Sequence, residues 1–319
     1  MYSISNIVSL LSIGPFAYGF SSSPPACKPQ SQPNPIAKTY PKEVTGTLNG
    51  TLAVVPIPLS KAQEIIGHEY RILMEAYEKF LPNFPKDMYP AIIQVVQDHD
   101  VQSFGIEIPD FSRISIEYPF VDLLNDGYTS FRYVPVQAMV STNAVSILGS
   151  AAYGTYVLPS TFTPSCDPYD FYPDGPANTT FLDAYVGFDE FNGQPPSITT
   201  LFHAVEHDDH GEGDQGGPVL GPYSMQFYVN ATNQPTYANP SRGCDNMIRF
   251  FSTSITAPPY QPVGVKGHVK VSDPFFPGGK EWDGVWGLRL DTAFIEHNFV
   301  KCEKLRGNSV SRIASVDEH

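Results

Sequence analysis

Apolar and polar residues change period along this chain, and strand-like stretches outnumber helical ones. Leu48 to Pro58 (LNGTLAVVPIP) is apolar and β-branched up to Pro56 and Pro58, which cannot feed a sheet ladder and so end a strand. Ser60 with Gln63 has the spacing of a capping box. The run to Phe80 then holds Ile65, Ile66, Ile72, Leu73, Ala76 and Phe80 at near-helical intervals, predicting a helix interrupted around Gly67. Tyr89 to Val96 is apolar except for Gln94, the pattern of a strand buried on both faces, where an amide must find partners. In RISIEYPF, Arg113, Ser115 and Glu117 share one face of a strand and Ile114 and Ile116 the other. Asn125-Asp126-Gly127 predicts a turn, followed by a second strand, a short helix stopped by Gly149 and an aromatic loop. Residues 164 to 197, crowded with Pro, Asp, Gly and Tyr, read as a long loop. Ile198 to Val205, Pro222 to Val229, Met247 to Ile255, Val263 to Val271 and Trp286 to Val300 read as successive strands.

Composition strengthens the β reading: 21 Phe and 18 Tyr accompany frequent Pro and Gly. At 319 residues the chain is long enough for one well-filled core, and nothing repeats at a fixed period. A net charge of −14 and a pI near 4.9 argue against nucleic acid and anionic membrane partners, which want a basic face. Residues 1–20 have the apolar core of a signal peptide, without a basic n-region. Residues 21–43 read as a loose Ser/Pro-rich linker, 44–302 as a single domain and 303–319 as a polar tail. Cys27, Cys166, Cys244 and Cys302 contain no CxxC pair and suit disulfides better than zinc, with three pairings open. Sequons at Asn49, Asn178 and Asn230 agree with a secretory route.

Chemistry-bearing patterns are few. The polar face of Arg113, Ser115 and Glu117 is either a surface ion pair, contributing under about 1 kcal/mol, or an anion clamp and acid inside a cavity. His203, Glu206, His207, Asp208, Asp209, His210, Glu212 and Asp214 offer ligands for a divalent ion, yet the glycines among them favour a solvated acidic loop, and no metal is expected. No GxSxG, P-loop or GxGxxG pattern occurs. Trp282 and Trp286 read as core or rim packing.

Several segments, in their order, resemble the acetoacetate decarboxylase-like superfamily, in particular divergent secreted fungal members. They are GTLNGTLAVVPIPLS, YPAIIQVVQDHD, IEYPF, NAVSILGSAAYGTYVLP and WGLRLDTAFIEHN, together spanning about Val44 to Asn298. The resemblance implies a mainly β (α+β) fold, a double-layered, largely antiparallel β-barrel or cone around a deep pocket with a few short helices. It also implies a lysine that attacks a ketone to form a Schiff base, activated by desolvation and a neighbouring cation. That lysine would follow the short helix, where this chain reads Gly154-Thr155-Tyr156-Val157-Leu158, and no lysine lies between Lys86 and Lys266. Gln94 stands where the family has one of two pocket glutamates, and Glu117 falls on the other.

The expectation is a decarboxylase or other lyase acting on a β-keto acid or polyketide-type molecule of secondary metabolism by acid–base chemistry, with no cofactor. Glu117 and Arg113 would be catalytic, while Gln94, Arg132, Tyr133, Tyr153 and Tyr156 would bind substrate. The rival readings are a secreted small-molecule-binding protein of the same fold, suggested by the missing lysine and the aromatic content, and a secreted surface protein with no pocket.

Overall fold

The computed structural model describes residues 31–103, 105–187, 196–205 and 218–307. The β-branched and aromatic runs form one 16-stranded sheet, and the helices between them are short. The first part of the chain supplies β1 (Val44–Pro58), α1 (Leu59–Ile66), β2 (Arg71–Ile72), α2 (Met74–Glu78), β3 (Met88–Ser103), β4 (Ile106–Ile108), β5 (Phe111–Asp122), β6 (Phe131–Tyr133) and β7 (Val136–Val140). The middle supplies α3 (Ala144–Ala152), β8 (Tyr156–Thr163), β9 (Asp170–Phe171), β10 (Thr179–Phe181), β11 (Asp183–Tyr185) and β12 (Ser197–Ala204). Then follow α4 (Met225–Thr232), β13 (Thr236–Tyr237), β14 (Cys244–Phe250), β15 (Val263–Val271) and β16 (Lys280–Val300).

Strand pairing closes this sheet on itself twice. The run β5-β3-β1-β16 is common to two rings. One ring returns from β16 to β5 through β14, β13 and β6. The other returns through β15, β12, β11, β8 and β7. All these pairs are antiparallel except β13 with β6 and β7 with β8. The mainly β, barrel-like class expected from the sequence is therefore the class found, with a mixed sheet. A wall shared by two rings has protein on both faces, which explains why β1, β3 and β5 are buried along almost their whole length.

Local readings fail where tertiary packing overrides pattern. The helix expected from Ser60 to Phe80 is two short helices with β2 between them, because Arg71 and Ile72 pair with Asp122 and Val121 of β5. No capping box forms at Ser60. Pro58 is the N-cap, and Gln63 instead donates to the carbonyls of Gly67 and Tyr70. The strand expected after the Asn125-Asp126-Gly127 turn is split at Pro135 into β6 and β7. Helix α3 runs through Gly149 and ends at Tyr153, where Gly154, at φ +94°, makes the turn. The aromatic loop expected next is strand β8. Pro222 to Val229 is no strand: Ser224 accepts a hydrogen bond from the Phe227 amide and starts α4, which buries Phe227, Tyr228, Ala231 and Thr232 on one face.

At the N-terminal side, residues 32–40 are tied to the sheet. Asn34 bonds to Asp100 and Thr45, and Ile36 packs with Ile255, Ala293 and Ile295. Cys244 and Cys302 form a disulfide, Cys166 is disulfide-bonded as well, and Cys27 lies outside the described residues. Of the sequons, Asn49 is buried in β1 with its amide donating to Ser31, so the folded chain does not present it as a glycan acceptor. Asn178 is exposed, and Asn230 is half-buried on α4. The signal-peptide residues 1–20 lie outside the described residues, as do most of the tail and the acidic cluster from Glu206 to Asp214. His203 is half-exposed on β12.

Candidate functional site

Alternation on β5 puts Arg113, Ser115 and Glu117 on one face, and that face looks into a cavity of about 260 Å³. Apolar residues including Val101, Ile108, Phe111, Val134, Met247 and Phe294 make much of its wall. Helix α3 covers one side through Val145, Ser146, Gly149 and Ser150, held by Asn143, which caps the Ser146 amide and donates to the Pro109 carbonyl. The sequence left two readings of the polar face. Burial decides between them: Glu117 is 2% and Arg113 8% exposed, so this is no surface ion pair.

Glu117 is held from every side by donors. Its Oε1 accepts from Ser115 Oγ at 3.0 Å, with Arg113 Nη1 at 4.0 Å. Its Oε2 accepts from the Gln94 amide and lies 2.9 Å from Arg132 Nε in an ion pair. These contacts hold the carboxyl group in place from both of its oxygens. Arg113 spends its Nε on Asp98 Oδ2 at 2.7 Å. Burial opposes its charge, but Asp98 and Glu117 outweigh burial and hold its pKa above the ordinary arginine value. Arg132 is pushed down by burial, only partly offset by Glu117.

The remaining expected residues divide. Arg132 lines the cavity, also donating to Thr236 Oγ1 and to the Thr232 carbonyl. Tyr153 lines it too, but its hydroxyl is engaged, donating to Asn298 Oδ1 at 2.6 Å and accepting from the Phe299 amide at 3.0 Å. Gln94 does not face the cavity. It is fully buried behind Glu117 and joins it to Arg249, which donates to the Gln94 carbonyl oxygen. Tyr133 packs against Tyr237 and Tyr118, and Tyr156 is 48% exposed on β8; neither lines the cavity. Of the segment where the resemblance would put amines, Thr155 reaches the cavity while Leu158 is buried in β8. Among the described residues no lysine lines the cavity.

Sequence reasoning missed four charged groups that complete the cluster: Asp98 on β3, Asp245 and Arg249 on β14, and Glu296 on β16. Arg249 and Glu296 are ionisable residues inside strand-like runs, the signal that singled out Glu117, whereas Asp98 and Asp245 fall just outside the runs read as strands. Asp98, Asp245 and Glu296 line the cavity. Asp245 and Glu296 hydrogen-bond to each other through their carboxyl groups. Burial pushes the Asp245 carboxyl up to about 6, against the pull of Arg132. It pushes Glu296 well above the usual carboxylate range, with help from Asp245 and Asp98. Arg249, crowded by burial and by Arg132 and Arg113, is pushed down to about 9. The carboxyls of Asp98, Glu117, Asp245 and Glu296 thus outnumber the guanidiniums of Arg113, Arg132 and Arg249 by one. A single proton between Asp245 and Glu296 balances the charge. Among the described residues no cluster of His, Cys, Asp and Glu is arranged to hold a metal ion.

No family model and no curated protein sequence matches the chain. Similar solved structures include the enduracididine biosynthesis enzyme MppR complexed with the condensation product of pyruvate and imidazole 4-carboxaldehyde. That chain is 9% identical, at a TM-score of 0.43, with 87% of this chain and 99% of that one covered. The same enzyme complexed with pyruvate is 8% identical, at a TM-score of 0.44, covering 82% and 92%. An acetoacetate decarboxylase-like enzyme from Sphingomonas wittichii RW1 is 8% identical, at a TM-score of 0.39, covering 80% and 91%. Likeness at this level bears on neither activity nor substrate.

Proposed function

We propose that this protein is a secreted lyase-type enzyme that decarboxylates a small β-keto acid or polyketide-type compound by acid–base chemistry, without an imine. The observation that carries the reading is the pairing of Arg113 and Glu117 on the wall of a largely apolar cavity that no lysine lines. Arg113 has committed its Nε to Asp98, which leaves its terminal amino groups to hold a substrate carboxylate. Glu117, fixed by Ser115, Gln94 and Arg132, is a positioned base and a local negative charge. An apolar wall strips water from the bound carboxylate, which favours the release of neutral carbon dioxide. What the reaction then requires is a proton for the carbonyl oxygen on which charge develops.

A second reading is a binding protein of the same fold. It is favoured by the mutual pairing of the arginines and carboxylates and by the lack of an amine nucleophile. The test is to incubate the purified protein with a panel of β-keto acids and follow both carbon dioxide release and binding heat. Release that falls with Arg113→Met and Glu117→Gln supports the enzyme. Binding without release supports the binder, and neither binding nor release defeats both readings.

A further inference from the structure

Two carboxyl groups in a hydrogen bond need a proton between them, since an ionised carboxylate only accepts. Asp245 and Glu296 make such a bond, and both line the cavity beside Arg113 and Glu117. The fold builds the pair deliberately. A register shift between Cys244 and Asn246 on β14 falls at Asp245, opposite the stretch of β16 between His297 and Val300, and Glu296 precedes that stretch, paired with Met247. The disulfide between Cys244 and Cys302 ties down the neighbouring residue and the end of β16. The Asp245 Oδ1 atom is buried without a hydrogen-bond partner among the described residues. We propose that Asp245 and Glu296 hold one shared proton at the cavity wall and are the acid that delivers it to the carbonyl oxygen of the ligand. This deepens the lyase reading and rests on it for the transfer step.

The charged groups facing the pair are Asp98 of β3, Arg113 and Glu117 of β5, and Arg132 of β6. Glu117 is less suited to the same part, because the Gln94 amide and the Arg132 guanidinium hold its Oε2 and the Ser115 hydroxyl engages its Oε1. In turnover the bond between the α-carbon and the carboxylate breaks, carbon dioxide leaves, and the bond's electrons become the double bond of an enol. The proton of the pair moves to the carbonyl oxygen. The enol then returns that proton to the pair as its carbon takes one from solvent, so one solvent proton is consumed and the pair is restored.

The test joins a spectroscopic and a kinetic readout on the full chain. Infrared difference spectra of the wild type between about pH 5 and about pH 8 should contain the carbonyl stretch of a buried protonated carboxyl. The band should be absent from both Asp245→Asn and Glu296→Gln, with folding checked by thermal melting. With acetoacetate as probe, both variants should lose roughly 100-fold or more in kcat with little change in KM. The alkaline limb of the wild-type pH profile should also be missing from the residual activity. A wild type without the band overturns the proposal whatever its turnover, and so do variants that keep kcat. A wild type with the band but no turnover of any β-keto acid overturns the lyase reading and the transfer step with it.

Discussion

Glu117→Gln removes a charge from the centre of the cluster while keeping the side chain's shape. The native side chain accepts from Ser115 at 3.0 Å on one oxygen and from the Gln94 amide on the other, which is also 2.9 Å from Arg132 Nε in an ion pair. A glutamine must replace one oxygen with a donor. Turned toward Gln94 and Arg132, its amide meets two donors; turned toward Ser115 it is tolerated, because a hydroxyl also accepts. The substitution therefore keeps its fit but leaves Arg132, 3% exposed, without its carboxylate, whereas Arg113 retains Asp98. Removing one partner of a buried pair costs about 3–5 kcal/mol. The lower end applies here because Asp245 still faces Arg132. A loss of about 3 kcal/mol lowers the melting temperature by roughly 4–6 °C in a chain of this size. Urea unfolding at neutral pH measures it, and a double-mutant cycle with Arg132→Met isolates the pair. The double variant should be less destabilised than the sum of the singles by about 2 kcal/mol or more. A loss below about 1 kcal/mol, the value of a solvated ion pair, would refute the claim that this cluster is buried and mutually dependent.

Three further outcomes are expected. Burial raises the pKa values of Asp245 and Glu296 above those of the unfolded chain, Asp245 to about 6. The Asp245 contribution is thus fully present below the unfolded value near 4 and is lost as pH rises through about 6, and that of Glu296, raised further, is lost at higher pH; a melting-temperature series should slope downward from about pH 4 upward, and less steeply in Glu296→Gln. Removing the Cys244–Cys302 bond, whose partners are 58 residues apart, by the double substitution Cys244→Ala and Cys302→Ala should cost about 4 kcal/mol of chain entropy, measurable by melting against the wild type. Gly50→Ala should fail to give soluble protein, since a Cβ there sits 2.1 Å from the Val95 carbonyl oxygen at a φ of +147°; normal solubility would contradict the close approach of β1 and β3.

Much of the barrel was legible because its strands are long and strongly patterned. Leu48 to Pro58, Tyr89 to Val96 and Val263 to Val271 all lie in strands, and the buried Gln94 has the partners its position demanded. Short elements were not, since their form depends on contacts far away in sequence. Phe227, Tyr228 and Val229 favour a strand by propensity, and only the cap at Ser224 and the packing of Phe227 on Phe120 and Tyr223 make them a helix. In the site, the period-two face of β5 was enough to bring Arg113 and Glu117 into the cavity. Asp245 and Glu296 escaped because their meeting depends on the β14–β16 register, which no local pattern encodes. Tyr133 and Tyr156 were assigned by chemistry alone, and strand direction turned them to other tasks.

In the proposed reaction the cavity works without an amine. Intact-mass measurement after incubation with acetoacetate and borohydride, with carbon dioxide followed in parallel, tests this most directly. It predicts evolution of carbon dioxide with the protein mass unchanged. A reduced adduct on a lysine would contradict it.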